Sequence, residues 1–250
     1  METGLQGKVV LITGAGRNIG RATALHFAKE GCRLVLSTRQ SQGLLDETVA
    51  ACGELGAEAS TTLCDVTNVD QVGAMLEQAN ERFGGVDVVV NNATFRSHSK
   101  FLKTTYEEWR AAMAANLDGP FHVCQAVIPG MVERGWGRIV NYSGISAYHG
   151  GGPTKSAAKL GIVGFTRGLA REFGKYDITV NGIAPGSIAV ERDPGLERAA
   201  DLAGKVDDDV PIQRFGTPDE IASLVVYLSS KQAGYITGQT YHVNGGAVFQ

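Results

Sequence analysis

The chain has 250 residues, 43% hydrophobic and 20% charged, with a formal net charge of -3. That is apolar material for a large core, and an α/β sheet of this size commonly forms one domain, while a weakly acidic balance gives no reason to expect a nucleic-acid or anionic-membrane partner. No apolar run approaches the ~18 residues of a membrane helix, nothing at the start resembles a signal peptide, and Cys32, Cys52, Cys64 and Cys124 lack the short paired spacing of a zinc or redox motif; the expectation is one cytoplasmic domain, 1–250, with reduced cysteines and no metal.

Val9 to Ile12 are four branched apolar residues in a row, which predicts a strand buried on both faces. Gly14, Gly16 and Gly20 follow in a turn without Cβ atoms, and Ile19 opens a helix whose unpaired N–H groups suit a pyrophosphate. Asn18 tolerates the left-handed backbone best among non-glycine residues. The helix runs to Lys29 and stops at Gly31, and Arg33 to Ser37 predict the second strand. A polar helix, 43–55, and a third strand, Ala59 to Leu63, lead to Cys64-Asp65-Val66, where Asp65, Thr67 and Asn68 are all candidates to cap a helix ending at Phe83. Val86 to Val90 form a buried strand ending in Asn91-Asn92-Ala93-Thr94, and the loop 95–105 is locally basic through Arg96, His98 and Lys100. A long helix is expected over 106–127, a strand over 138–141, a helix over 160–173 and a strand over 178–183. Residues 187–210, with Asp207-Asp208-Asp209, are too long for a plain connection and read as a substrate lid with some helix.

Thr13-Gly-x-x-x-Asn18-x-Gly20, Asn91-Asn92-Ala93, Asn116-Leu-Asp-Gly, Pro185-Gly186, Tyr235-Ile-Thr-Gly and Val243-Asn-Gly-Gly together resemble the short-chain dehydrogenase/reductase family over about residues 5–246. The resemblance implies a Rossmann-type α/β fold: a doubly wound parallel sheet with helices on both faces, a three-layer sandwich with its ligand crevice at the strand C-termini. It also implies an oxidoreductase that assembles as a homotetramer or homodimer. A nicotinamide cofactor would lie against Gly14, Arg17, Asn18, Ile19 and Gly20. Asp65 and Val66 would meet its adenine, Asn92 and Ala93 a ribose, Lys159 the nicotinamide ribose, and Pro185, Gly186 and Ile188 the nicotinamide. An NAD-binding fold ends its second strand in an acid that accepts from the ribose 2′-hydroxyl. Here that place, 18 residues after Gly20, holds Thr38, and Arg39 follows. No carboxylate repels a 2′-phosphate, and Arg39 and Arg17 can meet one, so NADP(H) is favoured over NAD(H).

The chemistry departs from the family. Its Asn-x-Ser-Ser and Tyr-x-x-x-Lys correspond here to Asn141-Tyr142-Ser143-Gly144 and Lys155-Ser-Ala-Ala-Lys159, so Gly144 stands for the serine and Lys155 for the tyrosine. Of the usual four residues Asn116 and Lys159 are kept, and the loop between 144 and 155 is about two residues shorter than usual. Tyr227-Leu-Ser-Ser-Lys231 has the right spacing but lies in a late helix, away from the catalytic place. Lys155 and Lys159, four apart, share a helix face, and a neighbouring cation favours the neutral form of a lysine, which makes Lys155 a candidate acid. Ser143, Tyr148 and His149 are further candidates, His149 first by its intrinsic pKa. The leading expectation is an NADP(H)-dependent reductase of a small molecule bearing a C=O, C=N or activated C=C bond. An imine would need no tyrosine donor, and the basic loop suggests an anionic substrate. The alternatives are a non-redox lyase or isomerase using Lys155 and His149, and a catalytically inactive NADP(H)-binding module.

Overall fold

The computed structural model describes residues 2–95, 100–191 and 205–249. Seven strands form one parallel sheet: β1 (Val9–Thr13), β2 (Arg33–Thr38), β3 (Ala59–Leu63), β4 (Val88–Asn91), β5 (Gly137–Tyr142), β6 (Ile178–Pro185) and β7 (Thr240–Val243), in the order β3-β2-β1-β4-β5-β6-β7. Among the described residues the α-helices between them are α1 (Asn18–Lys29), α2 (Gln42–Glu54), α3 (Val69–Phe83), α4 (Tyr106–Met113), α5 (Gly119–Arg134), the short α6 (Ser146–His149), α7 (Pro153–Phe173) and α8 (Pro218–Ser229).

The period of two along each strand sorts the side chains into two cores. Val10 and Ile12 of β1 join Leu34, Leu36, Val140 and Ile183 against Phe27 of α1, Leu45 of α2 and Val225 of α8. Val9 and Leu11 join Val35, Val89, Ile139 and Val180 against Met75 of α3, Val123 of α5 and Ala170 of α7. Apolar residues on both faces are why these strands read as unbroken hydrophobic runs. Chain order reverses between β1 and β4, which pair from Val10↔Val88 to Ile12↔Val90. Two connections diverge there and leave a crevice at the strand C-termini.

The long helix expected over 106–127 is two helices joined by a π-helical turn, Ala114–Asp118, and the second continues to Arg134. Pro120 has no N–H to give to the carbonyl of Asn116, so the regular ladder cannot run through this point. The resulting π turn carries Asn116. Helix α7 begins at Pro153, before the expected Leu160, so both Lys155 and Lys159 lie in it. The cap of α3 is Asn68, whose Oδ1 accepts from the N–H groups of Asp70 and Gln71. Asp65 is therefore not the cap: its Oδ1 accepts from Thr67 N at 3.0 Å and Thr67 Oγ1 at 2.7 Å in a turn ahead of the helix. Arg96 and His98, and residues 192–204 of the expected lid, lie outside the described residues. No helix among those described is long and apolar enough to cross a membrane.

A buried polar chain fixes α7 to the sheet. Asn91 Nδ2 of β4 donates to Asn141 Oδ1 of β5 at 2.8 Å, Asn141 Nδ2 donates to Thr166 Oγ1 of α7 at 3.0 Å, and Thr166 donates to Ile162 O at 2.8 Å. Each group is satisfied, so the chain adds directional specificity to apolar packing.

Candidate active site

A cleft of about 800 Å³ opens at the C-terminal ends of β1, β2 and β4. Its floor is the glycine turn. Gly14 has φ 68°, and a Cβ there would sit 2.9 Å from Asn92 Nδ2, while a Cβ on Gly20 would collide with Gly14 O. Backbone thus approaches backbone where any side chain would intrude. Thr13 closes the switch point: its Oγ1 accepts from Asn92 N at 3.1 Å and Ala93 N at 3.0 Å. Asn92 Nδ2 in turn donates to Thr13 O and Gly14 O, both at 2.9 Å.

Asn18 has φ 53°, the left-handed conformation its side chain tolerates. Its amide also makes a reciprocal pair with the main chain of Glu191: Asn18 Nδ2 donates to Glu191 O, and Glu191 N donates to Asn18 Oδ1, both at 2.9 Å. The glycine turn and the start of the 187–210 segment are thereby latched together.

Gly14, Arg17, Asn18, Ile19, Gly20, Thr38, Arg39, Asp65, Val66, Asn92 and Ala93 all line this cleft. Gln40 and Ser41 line it too, beyond the residues expected from sequence. Ser41 has φ 75° and caps α2 without a side-chain hydrogen bond to it. Pro185 ends β6, and Gly186 N donates to Val243 O at 2.9 Å. Ile188 is buried, bridges to Gly216, and lines a second cavity of about 280 Å³ together with Val206, Val210 and His242. Pro185, Gly186 and Ile188 are not among the residues lining the main cleft.

A chain of polar groups runs back from Thr94, which lines the cleft. Lys159 Nζ donates to Tyr142 O at 3.1 Å and to Thr94 Oγ1 at 3.5 Å. Thr94 Oγ1 donates to Asn116 Oδ1 at 2.6 Å, and Asn116 Nδ2 donates to Phe95 O and Ala112 O, both at 2.9 Å. Ser143 is buried and its hydroxyl donates to Lys159 O at 2.9 Å, so it braces the main chain of α7. A Cβ on Gly144 would have Ser146 Oγ, 3.9 Å away, as its nearest neighbour, so a side chain would fit where none is present. Lys155 is exposed one turn before Lys159, and His149 is exposed at the end of α6. Neither lines the main cleft, and nor do Lys159, Asn116 and Ser143, which connect to it through Thr94 and the helix behind it.

Sequence reasoning missed Thr94 as a partner of Lys159, and it missed His242. The His242 ring stands edge-on to Tyr148 with centroids 4.3 Å apart, and burial pushes its imidazole below the usual value of 6.5. Its place on the last strand of a parallel sheet, just before Val243-Asn-Gly-Gly, was the available signal.

Residues 14–248 match the family model described as "Enoyl-(Acyl carrier protein) reductase". The 3-oxoacyl-[acyl-carrier-protein] reductase FabG of Vibrio cholerae is 38% identical over 97% of this chain and 98% of its own length. The short-chain reductase protein NovJ of Streptomyces niveus is 39% identical over 96% and 94%. A short-chain type dehydrogenase/reductase from Mycobacterium marinum superposes with a TM-score of 0.88 at 31% identity, covering 98% of this chain and 97% of the other. The chain belongs to the short-chain dehydrogenase/reductase family. Within this short-chain dehydrogenase/reductase, Asn18 and Thr94 each tie the crevice to a distant segment, through Glu191 and Asn116 respectively.

Proposed function

We propose that the chain is an NADP(H)-dependent reductase with a non-standard acid. The observation that carries the cofactor is the end of β2. Thr38 and Arg39 line the cleft there, with Arg17 across the turn, and no carboxylate stands at that place. An arginine fork matches a phosphate in two parallel hydrogen bonds, whereas an acid would repel it. The glycine floor, which side chains would block, fits a pyrophosphate. Asp65, at the far edge, offers an acceptor to an adenine amino group. The test is a fluorescence titration with NADPH and NADH side by side. Arg39→Ala should weaken NADPH binding by about 1 kcal/mol or more, roughly fivefold, and leave NADH nearly unchanged. Equal losses for both cofactors reject the assignment.

When bound, the nicotinamide supplies hydride to an electrophilic double bond. Lys159, held by Tyr142 O and Thr94, would bind the nicotinamide ribose in this reading. Lys155 stands where the family has its acid, one helical turn away, and is the group assigned to deliver the proton. Two lysines on one helix face favour a neutral or anionic substrate over a cationic iminium. A carbonyl or activated alkene carrying a carboxylate or phosphate is therefore the preferred class. Exposed Phe121 on α5 and Leu160 on α7 support association into a homodimer or homotetramer.

A second reading, a non-redox lyase or an inactive binding module, is favoured by one observation. The hydroxyl expected beside the reacting oxygen is absent at Gly144, and Ser143 donates its proton to Lys159 O. Single-turnover mixing with candidate substrates separates the readings. Loss of reduced-nicotinamide absorbance supports the reductase, and product without that loss supports the lyase.

A further inference from the structure

Thr94 occupies a position that the bonding around it makes directional. Asn116 Nδ2 donates to two main-chain carbonyls, Phe95 O and Ala112 O, so the orientation of its amide is set and Oδ1 must face Thr94. An amide oxygen only accepts, so the Thr94 hydroxyl has to donate to it, across 2.6 Å. The hydroxyl proton is then committed, and Oγ1 is left to Lys159 as an acceptor, with Nζ 3.5 Å away. A glycine or alanine at this position would have no atom to do this.

We propose that Thr94 is a positioning residue for Lys159: with Tyr142 O it sets the direction of the ammonium, so that the lysine meets a bound ligand already oriented. The proposal rests on the reading above only in taking that ligand to be the nicotinamide cofactor. The orienting network is anchored in main chain at both ends, at Tyr142 O on β5 and at Ala112 O and Phe95 O beside the π turn. It does not depend on a ligand to assemble. Thr94 opens on the cleft, where water competes for its bond to Lys159; a ligand that covers the cleft removes that competition and strengthens the bond. The benefit is therefore larger in the bound state than in the free one.

The test compares Thr94→Val, which keeps the shape and removes the hydroxyl, with Thr94→Ser, which keeps the hydroxyl. The first readout needs no cofactor: hydrogen exchange of the Lys159 ammonium in the free protein, followed by nitrogen-edited NMR and assigned by the signal's loss in Lys159→Arg. Exchange should quicken by about threefold in Thr94→Val and stay at the wild-type rate in Thr94→Ser. The second readout is NADPH affinity, which should weaken by about threefold to tenfold in Thr94→Val and recover in Thr94→Ser. Equal ammonium exchange in wild type and Thr94→Val overturns the proposal, as does a Thr94→Ser variant that behaves like Thr94→Val. If exchange responds as expected but the wild type binds no NADPH, the positioning of Lys159 stands and the cofactor reading falls.

Discussion

Asn141 offers the sharpest test of how the sheet holds the helix that carries Lys155 and Lys159. It is fully buried, accepts from Asn91 Nδ2 at 2.8 Å and donates to Thr166 Oγ1 at 3.0 Å. Asn141→Ala removes both bonds, at about 1 kcal/mol each. It also strands Asn91 Nδ2, whose other neighbour is the weak acceptor Cys124 Sγ at 3.5 Å, adding about 1 kcal/mol or more of unsatisfied burial. Thr166 keeps its own acceptor, Ile162 O, so no penalty is expected there. The sum is about 3 kcal/mol, or a fall of about 6–12 °C in Tm for a chain of this length. Thermal unfolding at one fixed protein concentration measures it, since assembly would otherwise shift Tm by mass action. Removing both partners in Asn91→Ala/Asn141→Ala leaves no stranded donor. The double variant should therefore lose less than the sum of the singles, by about 1–2 kcal/mol. A loss below about 1 kcal/mol for Asn141→Ala, or strict additivity in the cycle, refutes this account.

Asn18→Gly keeps the left-handed backbone and deletes both bonds to Glu191, so the Glu191 amide should exchange hydrogen about tenfold faster, read by mass spectrometry of the 187–191 region, with β1 unchanged. Burial lowers the His242 imidazole below 6.5 in the folded chain, so as pH falls through 6.5 the unfolded chain takes up its proton first and folding loses stability. His242→Phe keeps a ring against Tyr148 and cannot titrate; relative to it the wild type should become less stable as pH falls below 6.5, and parallel stability curves would count against the burial of this ring. All four cysteines are buried, with thiols pushed up to about 12 at Cys32 and Cys124 and about 11 at Cys52 and Cys64, so a thiol reagent near pH 8 should label none in the native protein and all four after denaturation.

The side of the cleft built on the glycine turn was legible because local backbone demands produce it. Gly14 and Gly20 are dictated by close approach, Asn18 by a left-handed φ, and Thr38 and Arg39 by their place at a strand end. The fold was legible for a similar reason: strands buried on both faces leave no polar positions to confuse the pattern. The polar chain behind Thr94 was not. Thr94 meets Asn116 across 22 residues and Lys159 across 65, and Asn18 meets Glu191 across 173. Such pairings depend on register and helix placement that no local pattern encodes. The π turn was hidden because Asn116 sits within an otherwise helical periodicity, and only the missing N–H of Pro120 hinted at a break.

The same bonds explain how the crevice keeps its shape independently of the side chains at 144 and 155. Ser143 is held by Lys159 O, Lys159 by Tyr142 O, Asn116 by Ala112 O and Phe95 O, and Asn18 by the main chain of Glu191. Each of these anchors ends on a main-chain atom, so exchanging the side chains at 144 and 155 leaves them standing. Charge partners would have coupled the loss of one group to the collapse of another, because a buried charge left alone is strongly destabilising. Main-chain acceptors impose no such coupling. The bonds that shape the crevice thus stand apart from positions 144 and 155, where a side chain can change without rebuilding it.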